Sequence, residues 1–129
     1  MRLRLSAAAL AVAVGCAGTA AAAAVSEDQF QARTTADLVA ICATDKSDPL
    51  YTAAQNFCHG FIVGTYRALV AVNDTRRPKR KWFCEENLPS TRNETVAGFV
   101  AWANATPDAG NATPTDGMLR YLIQTGHCK

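Results

Sequence analysis

Hydrophobic residues recur every three or four positions along most of the chain after residue 34, which is the spacing typical of helices with one buried face. The longest such run extends from Pro49 to about Val72. Its apolar face comprises Ala54, Phe57, Cys58, Phe61, Ile62, Thr65, Leu69 and Val72. Shorter runs follow Thr34, Thr91 and Thr113, and no segment alternates apolar and polar residues over a useful strand length. The pattern therefore predicts an all-α fold, a small bundle of about four helices.

Capping residues mark where these helices begin. Side chains that accept hydrogen bonds precede each apolar run, in the motifs Thr34-x-x-Asp37, Asp48-Pro49, Thr91-x-x-Glu94 and Thr113-Pro114-x-Asp116. Such side chains accept bonds from the free N–H groups of a first helical turn, and proline fits the first helical position. We therefore expect helices to start at those points, the third ending near Ala105 and the fourth at Gly126.

Two segments carry further structural expectations. The polar stretch Ser26–Arg33 is predicted to be frayed. Gly60 and Gly64 lie four residues apart and so share one stripe of the long helix. We expect another helix to approach closely along that stripe.

The N-terminus has the composition of an export signal. Arg2 and Arg4 precede an apolar stretch over residues 5–14, and small residues up to Ala24 offer A-x-A cleavage sites. This order is typical of a secretory signal peptide, and the apolar stretch is short for a membrane span. We predict a signal peptide over residues 1–24 and a single domain over residues 25–129, located in the periplasm. Lipidation at Cys16 is the minor alternative.

The charge balance of the exported domain argues against several classes of partner. Removing Arg2 and Arg4 reduces the 13 basic residues to 11, which equals the 11 acidic ones. No overall positive field then favours nucleic acid, and residues 25–129 contain no further apolar run of membrane length. We expect no nucleic-acid partner and no transmembrane segment in the mature chain.

The cysteines of the exported domain predict disulfides. Four remain after processing, namely Cys42, Cys58, Cys84 and Cys128. An even number in a small exported chain is typical of paired cysteines, and four residues allow three pairings. We favour Cys42–Cys58, which would join neighbouring helices, and Cys84–Cys128, which would fix the chain's end.

A zinc site is the competing interpretation, because two of these cysteines have a histidine beside them in the sequence: His59 follows Cys58, and His127 precedes Cys128. The spacings are too long for the usual zinc motifs. We expect no metal, no cofactor and no catalytic cysteine. Glu85-Glu86 is a conceivable acid–base pair, but adjacent acids in a loop are most often solvated. The chain is therefore predicted not to be an enzyme.

A cluster of positive charge follows the long helix. Five of the six residues from 76 to 81 are cationic: Arg76, Arg77, Lys79, Arg80 and Lys81. A solvated loop is one interpretation, and an electrostatic guide for an acidic protein surface or an anionic envelope polymer is the other. Trp82, which follows directly, fits an interface anchor or a core position equally well. These six residues are our candidates for partner binding.

The chain resembles the Rap/Tai immunity-protein family. The resemblance rests on Thr35-Ala36-Asp37-Leu38 with Cys42, on Phe57-Cys58-His59-Gly60-Phe61-Ile62-x-Gly64-x-Tyr66, on Phe83-Cys84 with the helix after it, and on the Leu-containing helix before Cys128. Two positions depart from the family pattern. Phe83-Cys84-Glu85-Glu86 stands where members commonly have Phe-Cys-x-Pro, and Gly126-His127 precedes the last cysteine where Pro is common.

The resemblance implies a small, disulfide-bonded helical periplasmic protein. Characterised members bind and block peptidoglycan amidase effectors that are delivered by type VI secretion. It thus implies a protein partner, an amidase effector whose active site this chain would occlude, and a homodimer is also conceivable. The chain is similar, more distantly, to HdeA-type acid-stress chaperones. A general envelope or acid-stress chaperone without a toxin partner is therefore the alternative function.

Overall fold

The computed structural model describes residues 24–128, and four α-helices form the body of this part of the chain. They are α1 (Thr35–Cys42), α2 (Tyr51–Asp74), α3 (Arg92–Ala105) and α4 (Pro114–Thr125). Short 3-10 turns lie at Glu27–Gln31, Pro78–Arg80, Glu85–Asn87 and Ala109–Asn111. The described residues are 69% helical and contain no strand, so the predicted all-α class is confirmed. Residues 1–23 of the predicted signal peptide, with Cys16 among them, lie outside the described residues.

Side-chain caps begin three of the four helices at the predicted residues. The capping pairs are Thr34 with Asp37, Thr91 with Glu94, and Thr113 with Asp116. In each pair the threonine hydroxyl accepts a hydrogen bond from the backbone N–H three residues later. Each such cap contributes about 1 kcal/mol. The local sequence therefore determines where α1, α3 and α4 start.

The start of α2 differs from the prediction. Asp48 does not cap the helix, which begins at Tyr51. One carboxylate oxygen of Asp48 accepts from the backbone N–H of Leu50 at 2.8 Å, which closes a turn ahead of the helix. The other oxygen accepts from the backbone N–H of Val25 at 3.1 Å. Asp48 therefore ties the N-terminal segment to the bundle instead of capping α2.

The N-terminal segment is packed, and the prediction that Ser26–Arg33 is frayed was wrong. Val25 is 7% exposed, and the ring of Phe30 meets the ring of Phe57 edge-on at 5.7 Å between centroids. Residues Glu27–Gln31, which include Phe30, form a 3-10 turn. Two apolar contacts thus hold a stretch whose average composition is polar.

The shortest helix lies at the centre of the bundle. α1 packs against α2, α3 and α4, and its residues Leu38 and Ile41 are fully buried. A helix of eight residues is unstable alone in water, so α1 depends on these tertiary contacts. Buried Thr35 adds a polar link, because its hydroxyl donates to the carbonyls of Ala112 and Thr113 at 3.1 and 2.9 Å.

The close approaches between helices occur at other glycines than predicted. A Cβ atom at Gly60 or Gly64 would meet nothing within 4 Å, because both face open space on α2. A Cβ atom at Gly98 would overlap the hydroxyl of Tyr121, and one at Gly117 would overlap the side chain of Thr35. The expectation for the Gly60–Gly64 stripe was therefore wrong.

The buried face of α2 also departs from the prediction at its end. Ala54, Cys58, Ile62 and Leu69 are buried as expected, but Val72 is 48% exposed. The buried stripe continues at the polar residue Asn73, which is 2% exposed.

Two disulfides join the elements, and they have the favoured pairing. Cys42–Cys58 links the end of α1 to α2 across 16 residues. Cys84–Cys128 links the segment before α3 to the end of the chain across 44 residues. The first bond is buried and the second is partly accessible. Together they restrict both halves of the bundle.

Removal of the longer disulfide should destabilise the protein strongly. In the double variant Cys84→Ala/Cys128→Ala we expect the free energy of unfolding to fall by about 4 kcal/mol, because the bond closes a long loop in the unfolded chain. Urea unfolding followed by circular dichroism measures the loss. A loss below about 1 kcal/mol would show that the bond does not restrict the unfolded chain as argued.

Candidate partner-binding surface

The cationic residues singled out in the sequence form one exposed stretch of surface. The basic segment, residues 76–81, leaves the end of α2 and includes the 3-10 turn Pro78–Arg80. Arg77, Lys79, Arg80 and Lys81 are exposed, and Arg76 is half-buried. The structure therefore brings the predicted residues together on the outside of the bundle.

The side chain of Asn73, near the end of α2, holds the exit of this stretch in place. Its amide nitrogen donates to the carbonyl of Phe83 at 3.1 Å, and its oxygen accepts from the backbone N–H of Trp82 at 2.8 Å. Phe83 is fully buried. Composition alone places Asn73 at the start of a polar loop, but its position four residues after buried Leu69 is the signal that it continues the core face.

Trp82 is presented at the surface. Its side chain is 40% exposed, so it is not a core residue. The guanidinium carbon of Arg76 lies 4.2 Å from the centre of its ring, a cation–π contact. Arg76 also donates from Nε to the carbonyl of Arg80 at 2.7 Å. Arg76 therefore joins the indole of Trp82 to the turn that carries the other cations.

The basic segment keeps most of its charge available. Lys81 forms an ion pair with Asp74 at 3.2 Å. Between residues 24 and 128, no carboxylate forms an ion pair with Arg76, Arg77, Lys79 or Arg80. A concentration of cations on one side of a neutral domain attracts acidic surfaces at long range.

An apolar groove adjoins the basic segment. It lies between α2 and α4 and has a volume of about 420 Å³. Its lining includes Trp82 and Val72, Leu69 and Ala68 of α2, and Leu119 of α4. Trp82 and Val72 are the exposed large hydrophobic residues of the described chain. Sequence reasoning missed the groove because it placed Val72 in the core.

A second cleft lies on the other flank of α2. It has a volume of about 460 Å³ and is lined in part by Tyr66, Glu85 and Glu86. The hydroxyl of Tyr66 donates to the carboxylate of Glu85. This bond, together with burial, raises the pKa of Tyr66 above its usual value. Glu85 and Glu86 are both exposed and so lack the burial that a catalytic carboxylate pair needs.

The histidines do not assemble with other ligating groups. All four cysteines between residues 24 and 128 are in disulfides. In the same part of the chain, no group of three or more His, Cys, Asp or Glu side chains could hold a metal ion. Nor does any helix there have both the length and the apolar character needed to cross a bilayer.

Replacement of Asn73 tests its role in holding the basic segment. In Asn73→Ala we expect the free energy of unfolding to fall by about 3 kcal/mol, because the N–H of Trp82 and the buried carbonyl of Phe83 lose their partner. We also expect faster trypsin cleavage within residues 76–81. The control is Asn87→Ala, which removes an exposed bond to the carbonyl of His127. Equal effects of the two variants on unfolding and cleavage would contradict the assigned role.

The Tyr66–Glu85 bond should make stability fall at high pH. Because the pKa of Tyr66 is raised in the folded state, the unfolded chain loses its tyrosine proton first as the pH rises past about 10. The stabilisation is thus complete below pH 10 and is lost above it. Tyr66→Phe should show a shallower loss between about pH 9 and 11 than the wild type. Burial raises the pKa of Tyr121 as well, so part of the loss should persist in the variant. Identical unfolding curves across this range would contradict the contribution of Tyr66.

Comparison with known proteins identifies the family of the chain. The sequence model of the Rap1a immunity proteins matches residues 34–128. No curated protein and no solved structure matches the sequence significantly. The matched range begins at the cap of α1 and ends at the last cysteine, so it contains all four helices and both disulfides. The chain is therefore a member of the Rap1a immunity protein family, as its resemblance to the Rap/Tai proteins indicated.

Proposed function

We propose that the protein binds a peptidoglycan amidase effector in the periplasm and occludes its active site. Membership of an immunity-protein family supports a role that depends on binding a protein partner, and such proteins are generally not enzymes. The amidase target is supported by the resemblance to members that block such effectors. The observation that carries the proposal is the exposed, cation-rich segment beside Trp82.

Occlusion requires a surface that is already in its binding conformation, because ordering a loop on association reduces affinity. The basic segment meets this requirement at both ends. Asn73 binds its start through a backbone hydrogen bond from Arg76 and its exit through side-chain bonds to Trp82 and Phe83. Cys84 follows two residues after Trp82, with a disulfide to Cys128. The backbone that carries the cations is thus restrained at both ends.

Charge and apolar area have separate roles in the proposed complex. The cations of residues 76–81 attract an acidic surface around the effector's active site and increase the association rate. Trp82 offers a large, partly fixed aromatic surface of the kind that anchors protein interfaces. Together they favour an acidic partner with an exposed apolar patch.

Periplasmic location is part of the same proposal. The leader-like residues 1–24 support export. The two disulfides support an oxidising compartment, where such bonds persist. Peptidoglycan amidases act in that compartment, so the protein and its proposed target would meet there.

Charge reversal in the basic segment tests the proposal. In Lys79→Glu/Arg80→Glu we expect at least about a tenfold loss of affinity for a peptidoglycan amidase effector, mainly through slower association. Inhibition of peptidoglycan cleavage should weaken in parallel. Surface plasmon resonance at low and high salt and a peptidoglycan hydrolysis assay measure the two effects.

The matched control is Lys46→Glu/Arg67→Glu, which changes the same charge at two exposed residues outside the basic segment. It should bind within about twofold of the wild type. If the wild-type protein neither binds nor inhibits the amidase, the proposed function is wrong. If both reversals weaken binding equally, the basic segment is not the binding surface.

A further inference from the structure

We infer that the apolar groove between α2 and α4 receives an amphipathic segment of the protein partner, with apolar side chains along its length and carboxylates at the end near Trp82. This inference rests on the proposed function, since the partner is the effector that the protein blocks. The inference extends that proposal in two ways. It names a part of this chain that the effector contacts, and it describes the chemistry of the effector segment that binds there.

Two exposed hydrophobic side chains indicate that the groove is a binding site. Val72 is 48% and Trp82 is 40% exposed, and both large side chains line this one depression. Isolated exposed hydrophobics are common on protein surfaces, but adjoining ones in a concave site are typical of interaction surfaces. The groove residues contain no charged side chain, so an apolar segment can enter without burying an unpaired charge.

The shape of the groove suits a short helix or an extended segment. Gly64, Ala68 and Val72 succeed one another at four-residue steps along α2, so they span about 12 Å of its axis. A Cβ atom at Gly64 would meet nothing within 4 Å. The small residues therefore leave room for the backbone of a docking segment to lie close to α2.

Charge determines which occupant fits. The guanidinium of Arg76 lies over the indole ring of Trp82, which lines the groove, and the other cations of the basic segment follow in the chain. Carboxylates on the docking segment would meet these cations. A second copy of this chain fits less well, because the groove residues of one copy supply no carboxylate to the cations of the other.

Two pairs of variants test whether the partner binds in the groove. Each pair compares a substitution in the groove with the same kind of substitution outside it. Val72→Glu places a carboxylate in the groove, whereas Ala71→Glu adds the same charge at an exposed residue next to it in the chain that does not line the groove. Gly64→Trp fills the groove without adding charge, whereas Gly60→Trp adds the same side chain in open space elsewhere on α2. Circular dichroism verifies that all four variants remain folded.

Binding is measured with two probes. The first is the amidase used above. The second is a fluorescein-labelled amphipathic peptide of about 14 residues, made of Leu and Glu, with Leu–Gln and Leu–Lys peptides as its matched controls. We expect Val72→Glu and Gly64→Trp to weaken binding of the amidase and of the Leu–Glu peptide at least tenfold, and their controls to change it less than twofold. The Leu–Glu peptide should bind at least tenfold more tightly than either control peptide.

The outcomes separate this inference from the proposed function. If the amidase is inhibited equally by the wild type, Val72→Glu and Gly64→Trp, the groove inference is wrong and the proposed function stands. If the amidase is not bound at all, the proposed function fails. If the Leu–Glu peptide then also binds weakly, or no more tightly than its two control peptides, the groove inference is wrong as well. Self-association of the wild type that Val72→Glu abolishes would show that a second copy covers the groove, which also overturns the inference.

Discussion

The buried amide of Asn73 is the constraint on which the candidate surface depends. A polar side chain at 2% exposure is stable only with its hydrogen bonds made, and both of its bonds go to the chain that returns from the basic segment. Those bonds fix the backbone of Trp82 and Phe83, so the ring of Phe83 enters the core. A segment rich in positive charge, whose cations repel one another, is thereby tied to the core where it returns to it.

The same amide explains why hydrophobic side chains are exposed. Successive residues of a helix point about 100° apart, so if Asn73 takes the buried position, Val72 must turn toward the edge of the core. Asn73 also binds the backbone of Trp82, which leaves that side chain at the surface over Arg76. One polar residue in the core face of α2 thus accounts for both exposed hydrophobic side chains that line the groove.

How much the sequence could predict depends on how local each determinant is. Caps such as Thr91 with Glu94 and the spacing of apolar residues act within a few turns, and they predicted the helices. The disulfides span 16 and 44 residues, but an even number of cysteines in a small chain predicted that they pair. Asp48 could not be assigned in this way, because its second bond goes to Val25, 23 residues away. Gly60 and Gly98 are chemically identical, and only the positions of the neighbouring helices decide that Gly98 lies against Tyr121. The cationic residues of the candidate site could be read from composition, whereas the groove required knowledge of which face of α2 meets α4.

Charge and apolar contact on this surface act on different steps of binding. In the proposed complex, long-range attraction by residues 76–81 would accelerate encounter, whereas exposed charges in water add little to the lifetime of a complex. Apolar area that leaves water on docking, at Trp82 and Val72, slows dissociation instead. In the proposed function, the protein has to capture the amidase before it cuts the cell wall and then keep its active site covered. A surface that places cations directly beside an apolar groove meets both requirements, and either feature alone would meet only one.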